Sequence, residues 1–488
     1  MNEIEFMDST TRDGIQSLWA LRLTAAEALA IAPTMDEAGF KVIDYAGIPG
    51  WMYSTRFLKE DYWERLRLIS GAITKTPLNM WLRSRGVTDF TSLPKPHALT
   101  KLWIKRWCDY GIRRVSFIEE ENDYSNIPDL VKYVQAQGAK THASLLYALS
   151  PIHTDEYYGR KAREAVETGT DVIEIKDQCG ILTPERVRTL IPTVIKSVNG
   201  EADLQFQTHC NTGLGLLCSL EAIRLGIKTI RSCLPPLCEG TSNPNTLSII
   251  RNAEYLGYTS KLKMDVLKAI SDHFTYIAKK EGLPIGSPQE FDAFYYEHQV
   301  PGGVMATLRW QLSQLKSEHR FNDVLREVAQ VRKDLGYPIM VTPASQYIVA
   351  QATMNVLGGE RYKNINDEVI QKVVSKYAVK TLGETDPALK ARIMNLPKTQ
   401  EILDWKPVQP SLEEMRREYG EGLSDDEFLY LTAVPIEYIN AMRAAGPIKA
   451  TYPRGDKPFM ALLYELMQRK RSYIHIKKDD FSVTLIKH

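Results

Sequence analysis

Residues 204–215 read LQFQTHCNTGLG. Apolar Leu204 and Phe206 alternate with polar Gln205 and Gln207, and a glycine-containing turn follows. This is the pattern of a barrel strand running into its loop. His209 lies two residues after Gln207, so both side chains point to one face of the strand. Many metal enzymes place two histidines in that relation. Here a glutamine stands at one of the two positions.

Working outward, the first roughly 290 residues alternate short β-rich runs with amphipathic helical stretches. The candidate strands are EIEFMD, KVIDYAG, LNMWLR, RRVSFIEE, KTHASLLYA, DVIEIKD, DLQFQTH and TIRSCL. Helical patterns such as TAAEALAIAPTMDEAG and HTDEYYGRKAREAVETG lie between them. Eight strand–helix units predict a (β/α)8 TIM barrel over 1–290. A doubly wound sheet is disfavoured, because no G-x-G-x-x-G follows the first strand. From 291 to 435 the runs MATLRWQLSQLKSE, FNDVLREVAQVRKDLG, ASQYIVAQATMNVLGG and NDEVIQKVVSKYAVKTLG predict a helical C-terminal domain. Residues 436–488 form an extension ending in SYIHIKKDDFSVTLIKH, which reads as a β-hairpin with a docking role.

The chain has 488 residues, enough for two or three domains. A net charge of +1 gives no sign of nucleic acid or of an anionic membrane as partner. No apolar run approaches the roughly 20 residues that span a bilayer, and MNEIEFMDSTTRDG lacks the pattern of a signal peptide. Six cysteines without a C-x-x-C pair predict a cytoplasmic protein with reduced thiols.

Barrel enzymes draw their catalytic groups from the C-terminal ends of the strands. That filter selects Arg12, Asp13 and Gln16 after strand one and Arg83 at the end of strand three. It adds Lys176 and Asp177 on strand six, then Gln207 and His209 on strand seven. Each alone has a plain reading: a surface ion pair, a snorkelling lysine, a structural histidine. Together they cluster on one rim.

Ordered motifs then match a known family. DSTTRDGIQSLWALRLT, RFLKEDYWERLRLI, YALSPIHTDEYYGRKARE, IEIKDQCGILTP, EHQVPGGVMATL, VTPASQYIVAQATMNVL and GERYK run across residues 3 to 435. They resemble the carboxyltransferase domain of biotin-dependent pyruvate carboxylase. The same group includes the α subunit of oxaloacetate decarboxylase and the central subunit of methylmalonyl-CoA transcarboxylase. The resemblance implies a barrel followed by a helical funnel. It implies transfer of CO2 between carboxybiotin and a small acid acceptor, a pyruvate-like 2-oxo acid, through an enolate.

By the same resemblance, Arg83 binds the substrate carboxylate, Arg12 and Gln16 hydrogen-bond the enolate oxygen, and Thr342 shuttles a proton between substrate and biotin. A divalent metal (Zn, Mn or Mg) is expected on Asp13, a carbamylated Lys176, His209 and Gln207. The family has a histidine where this chain has Gln207. An amide oxygen suits a harder ion better than zinc. The loop also departs, with HCNTGLG in place of H-D-T-S-G-N-G, as does FIEEEND in place of F-D-x-L-N-D. The chain carries no A-M-K-M biotin motif and no ATP-grasp region. The expected partners are therefore a separate biotin carboxyl carrier protein and a biotin carboxylase subunit, in a homo- or hetero-oligomer. Two rivals remain: a metal-dependent lyase or Claisen-type synthase of the related barrel group, and a metal-free, non-catalytic assembly subunit.

Overall fold

The computed structural model describes residues 2–86, 94–469, 473–478 and 481–486. The strands are β1 Asn2–Asp8, β2 Val42–Ala46, β3 Leu78–Leu82, β4 Ile112–Phe117, β5 Lys140–Leu146, β6 Val172–Asp177, β7 Asp203–Thr208 and β8 Thr229–Ser232. They run parallel in chain order, and β1 pairs with both β8 and β2, closing the barrel. All eight coincide with the runs chosen from the sequence. A ninth short strand, β9 Tyr258–Ser260, adds to the start of β1. Its three residues are too few to show a period.

β6 shows why the pattern works. Ile173 and Ile175 join the apolar layer that also takes in the surrounding helices. The alternate residues Glu174 and Lys176 take the other face, and both are buried. The register pairs Glu174 with Gln205 and Lys176 with Gln207, so polar residues of β6 and β7 fall in common layers. Hydroxyl caps start the flanking helices: Thr154 accepts from Tyr157 N, and Thr183 from Arg186 N.

The barrel interior is polar, unlike the aliphatic filling common to this fold. Arg231 on β8 reaches across it, its Nη1 3.1 Å from Asp44 Oδ2 and its Nε 3.0 Å from Glu174 Oε2. Trp81 donates its indole N–H to Asp44 Oδ1 at 2.8 Å. Its ring faces three cations, with Arg231 at 4.5 Å, Arg12 at 4.9 Å and Lys176 at 5.1 Å from the centroid. Buried ions need partners, and this lattice supplies them beneath the rim.

The later chain is helical: Gly302–Gln314, Phe321–Asp334, Ala344–Gly358 and Asp367–Val374. The helical pattern read over 366–383 stops early. Ser375 turns extended, its Oγ accepts from Tyr377 N at 3.2 Å, and Lys372 Nζ donates to Val379 O at 2.5 Å. Side chain–backbone bonds of this kind compete with the helix. The helices are stapled over the barrel mouth. Arg332 donates to Leu149 O at 3.0 Å, Gln299 Nε2 donates to the same carbonyl at 2.7 Å, and Ile339 N donates to Glu121 Oε1 at 3.3 Å. Leu146 at the end of β5 and Ala148 just after it pack with Ile339 and Val341, which sets the next residue, Thr342, above the rim. Near the C-terminus, Tyr473–Lys478 pairs antiparallel with Phe481–Ile486. Asp479 and Asp480, which mark that turn in the sequence, lie outside the described residues.

Candidate active site

A cavity of about 1220 Å³ lies between the rim and the helical roof. Arg12, Asp13, Gln16, Arg83, Lys176, His209 and Thr342 all line it. Gln207 is fully buried just beneath and touches Lys176. Residues far apart in sequence are thus brought together as expected. Asp177 is the exception. Its carboxylate accepts from Ile181 N, Leu182 N and Thr208 Oγ1 at 3.0, 2.8 and 2.9 Å, so it shapes the loop after β6.

Arg12 and Asp13 come from the tight turn Thr10–Gly14 that follows β1. Gly14 lets this turn press on the loop after β8, since a Cβ there would lie 2.8 Å from Leu237 O. Arg12 Nε donates to Asp44 Oδ2 at 3.1 Å, and its Nη1 lies 3.5 Å from Gln16 Oε1 and 3.5 Å from Asp13 Oδ1. The guanidinium is therefore held from below, with Gln16 beside it.

Burial alone would raise the Asp13 carboxyl. Arg12, His209 and Lys176 overcome that and hold it well below the usual carboxylate range. Lys176 shows the opposite balance. Burial first, then Arg231, push its amine down to about 8. Lys176 Nζ donates to Gln207 Oε1 at 3.2 Å, Gln207 Nε2 donates to Asn243 Oδ1 at 2.9 Å, and Asn243 Nδ2 donates to Asp13 Oδ2 at 3.0 Å. His209 Nε2 meets the same Asp13 oxygen at 3.2 Å, while its Nδ1 lies 2.7 Å from Thr241 O. A carbonyl only accepts, so Nδ1 carries hydrogen. Nε2 then faces the carboxylate either as a second N–H or as a lone pair, and two lone-pair atoms at this spacing suit a shared cation.

Among the described residues, no group of three or more His, Cys, Asp and Glu is placed to hold a metal ion. The donor set is instead one carboxylate, one imidazole, one amide oxygen and one lysine. It fits a hard divalent cation once the lysine becomes an oxygen donor, and the depressed amine favours that, because the neutral form is the one that takes up CO2.

On the opposite rim, Arg83 Nη1 lies 3.8 Å from Glu120 Oε1. Glu119 accepts from Ser84 N at 2.7 Å and Ser84 Oγ at 2.6 Å, and burial pushes it up to about 7. Glu119, Glu120 and Glu121 are all buried. A run of three glutamates gives no sign of this in the sequence. Thr241 and Asn243 give none either, since their loop has no periodicity. Asp44 had a usable signal as a lone acid inside the otherwise apolar strand VIDYA, and Glu174 as an acid set between the two isoleucines of VIEIKD.

Comparison with known proteins gives the family and the fold. Residues 295–452 match the family described as a conserved carboxylase domain, and residues 112–273 match the HMGL-like family. A pyruvate carboxylase subunit of Methanocaldococcus jannaschii is 33% identical over 453 residues, covering 92% of this chain and 78% of that protein. The 2-oxoglutarate carboxylase large subunit of Hydrogenobacter thermophilus is 29% identical over 442 residues, covering 89% and 67%. The carboxyl transferase domain of Rhizobium etli pyruvate carboxylase, solved with oxamate and biotin, superposes with a TM-score of 0.84. That match has 21% identity and covers 99% of this chain and 84% of the other. No helix among the described residues is long and apolar enough to cross a membrane. The chain belongs to the pyruvate carboxylase-type family of biotin-dependent carboxyltransferases.

Proposed function

We propose that this chain moves CO2 between carboxybiotin, delivered by a separate carrier protein, and a pyruvate-like 2-oxo acid. The observation that carries this reading is a cavity of about 1220 Å³ with the guanidinium groups of Arg12 and Arg83, the Gln16 amide and the Thr342 hydroxyl brought together on its wall. That volume accommodates a small acid together with the biotin head group.

Arg83 takes the substrate carboxylate. Arg12 and the amide N–H of Gln16 hydrogen-bond the enolate oxygen, where charge develops. Thr342 Oγ passes a proton from substrate C3 to the ureido nitrogen of biotin, because a hydroxyl both donates and accepts. The N–CO2 bond of carboxybiotin breaks, and C3 of the enolate forms the new C–C bond to the released CO2. The roof excludes water, which protects both the enolate and the CO2.

Asp13, carbamylated Lys176, His209 and Gln207 would hold a divalent ion, Mn²⁺ or Mg²⁺ in preference to Zn²⁺. When bound, the ion supplies positive field beside the enolate oxygen. In this reading residues 1–290 are the barrel, 291–435 the roof and 436–488 a docking extension. The chain then works in a cytoplasmic complex with a carrier and a biotin carboxylase.

The HMGL-like match over 112–273 favours a second reading, a lyase or synthase that needs no carrier. One experiment separates them. Labelled carboxyl is offered on a carboxylated biotin carrier, with a panel of 2-oxo acids as acceptors. Label in an acceptor only when the carrier is present supports the proposal. Turnover that ignores the carrier supports the second reading.

A further inference from the structure

We propose that Asn243 is the positioning residue that turns Gln207 into an oxygen donor for the divalent ion. This rests on the metal part of the proposed function. Asp13 sets the direction, because its carboxylate only accepts hydrogen bonds. Asn243 meets Asp13 Oδ2 at 3.0 Å, so it presents Nδ2 there. Its Oδ1 must then face Gln207, at 2.9 Å. Gln207 answers with Nε2, which leaves Oε1 toward Lys176 at 3.2 Å. The direction of two amides is thus set by one carboxylate. A ring nitrogen at position 207 would need no such choice. An amide does, because its wrong face offers N–H groups that repel a cation.

Asn243 is itself well held. It is fully buried. Its carbonyl accepts from Glu239 N at 2.8 Å, Ser242 N donates to Glu239 O at 2.9 Å, and Glu239 Oε1 accepts from Asn245 N at 3.1 Å. The same loop presents Thr241 O to His209 Nδ1. One loop after β8 therefore orients three of the four proposed donors: Asp13, Gln207 and His209. Outer partners of this kind change metal affinity by about 10–100-fold when removed.

The test is Mn²⁺ binding to the metal-free full chain in bicarbonate buffer, followed by the EPR signal of free Mn²⁺. Four proteins are compared: wild type, Asn243→Ala, Gln207→His and the double variant. Asn243→Ser, too short to reach Gln207, repeats the test if the alanine variant fails to fold. The expected result is a loss of about 10–100-fold in Mn²⁺ affinity for Asn243→Ala in the wild-type background. In the Gln207→His background the same substitution changes affinity by less than about threefold, because the ring has no amide to orient. Two results overturn the proposal: unchanged affinity in Asn243→Ala, or an equal loss in both backgrounds, which marks a general structural role. A wild type that binds no Mn²⁺ removes the metal reading, and this inference with it.

Discussion

The rim and the roof of the cavity are built on opposite plans. On the rim nearly every functional group is held by fixed partners. Arg12 is gripped by Asp44, Lys176 by Gln207, and His209 by Thr241 and Asp13. On the roof, Thr342 lines the cavity, and its hydroxyl makes no hydrogen bond among the described residues. The contrast matches the chemistry assigned to each. Groups that stabilise a developing charge work best when they are already oriented. A group that carries a proton between two partners must be free to rotate. In the proposed mechanism the barrel supplies fixed charge and the helical layer supplies the moving proton.

Four substitutions break or sharpen that contrast. Thr342→Ala should give the largest effect, a fall in kcat of about 10²–10⁴-fold. Its melting temperature should match the wild type, since the hydroxyl it removes is not used to hold the fold. Comparable activity in the variant would remove Thr342 from the mechanism. Arg231→Met attacks the rim from below. It leaves Asp44 and Glu174 without their strut, and breaking a buried pair costs about 3–5 kcal/mol. Urea denaturation measures this, and a loss under about 1 kcal/mol would mean the strut is not needed.

Glu119→Gln tests the charge state of the other side of the rim. The folded carboxyl titrates near 7 because of burial, above its ordinary value of 4.5. The folded protein therefore binds more protons than the unfolded chain between those values, and stability falls as pH rises across that window. By pH 7 the loss is roughly 3 kcal/mol. The glutamine variant should flatten that slope in melts taken from pH 4.5 to 7.5, and an unchanged slope would point to another group. Gly302→Ala should have the smallest effect. A Cβ at 302 would lie 2.3 Å from Thr241 Cβ, where the roof meets the loop that orients His209. Overpacking of this kind costs about 1–3 kcal/mol, and kcat should fall with it. A variant as stable and as active as the wild type would show that the loop yields without disturbing His209.

The sequence revealed more of the rim's contents than of its wiring. Period-two runs such as VIEIKD and DLQFQT announce strands, and their C-terminal ends name Lys176, Gln207 and His209 directly. Gly302 opens a helix and Asn243 sits in a loop without a period, and nothing local shows that one admits the roof and the other connects two donors. Nothing local marks the glutamates at 119–121 as buried, yet all three are. Burial of that kind is decided by tertiary packing, which no local pattern encodes. Thr342 was legible only through the resemblance of VTPAS to a known motif. Its place over the rim depends on staples from Arg332, Gln299 and Glu121.

The most direct test of carboxyl transfer runs the reaction backwards. Purified chain is given oxaloacetate, with and without free biotin, and pyruvate is measured for the wild type and for Thr342→Ala. Biotin is predicted to accelerate pyruvate release in the wild type and to have no effect in the variant. Pyruvate release at one rate with or without biotin, in both proteins, would contradict carboxyl transfer through Thr342.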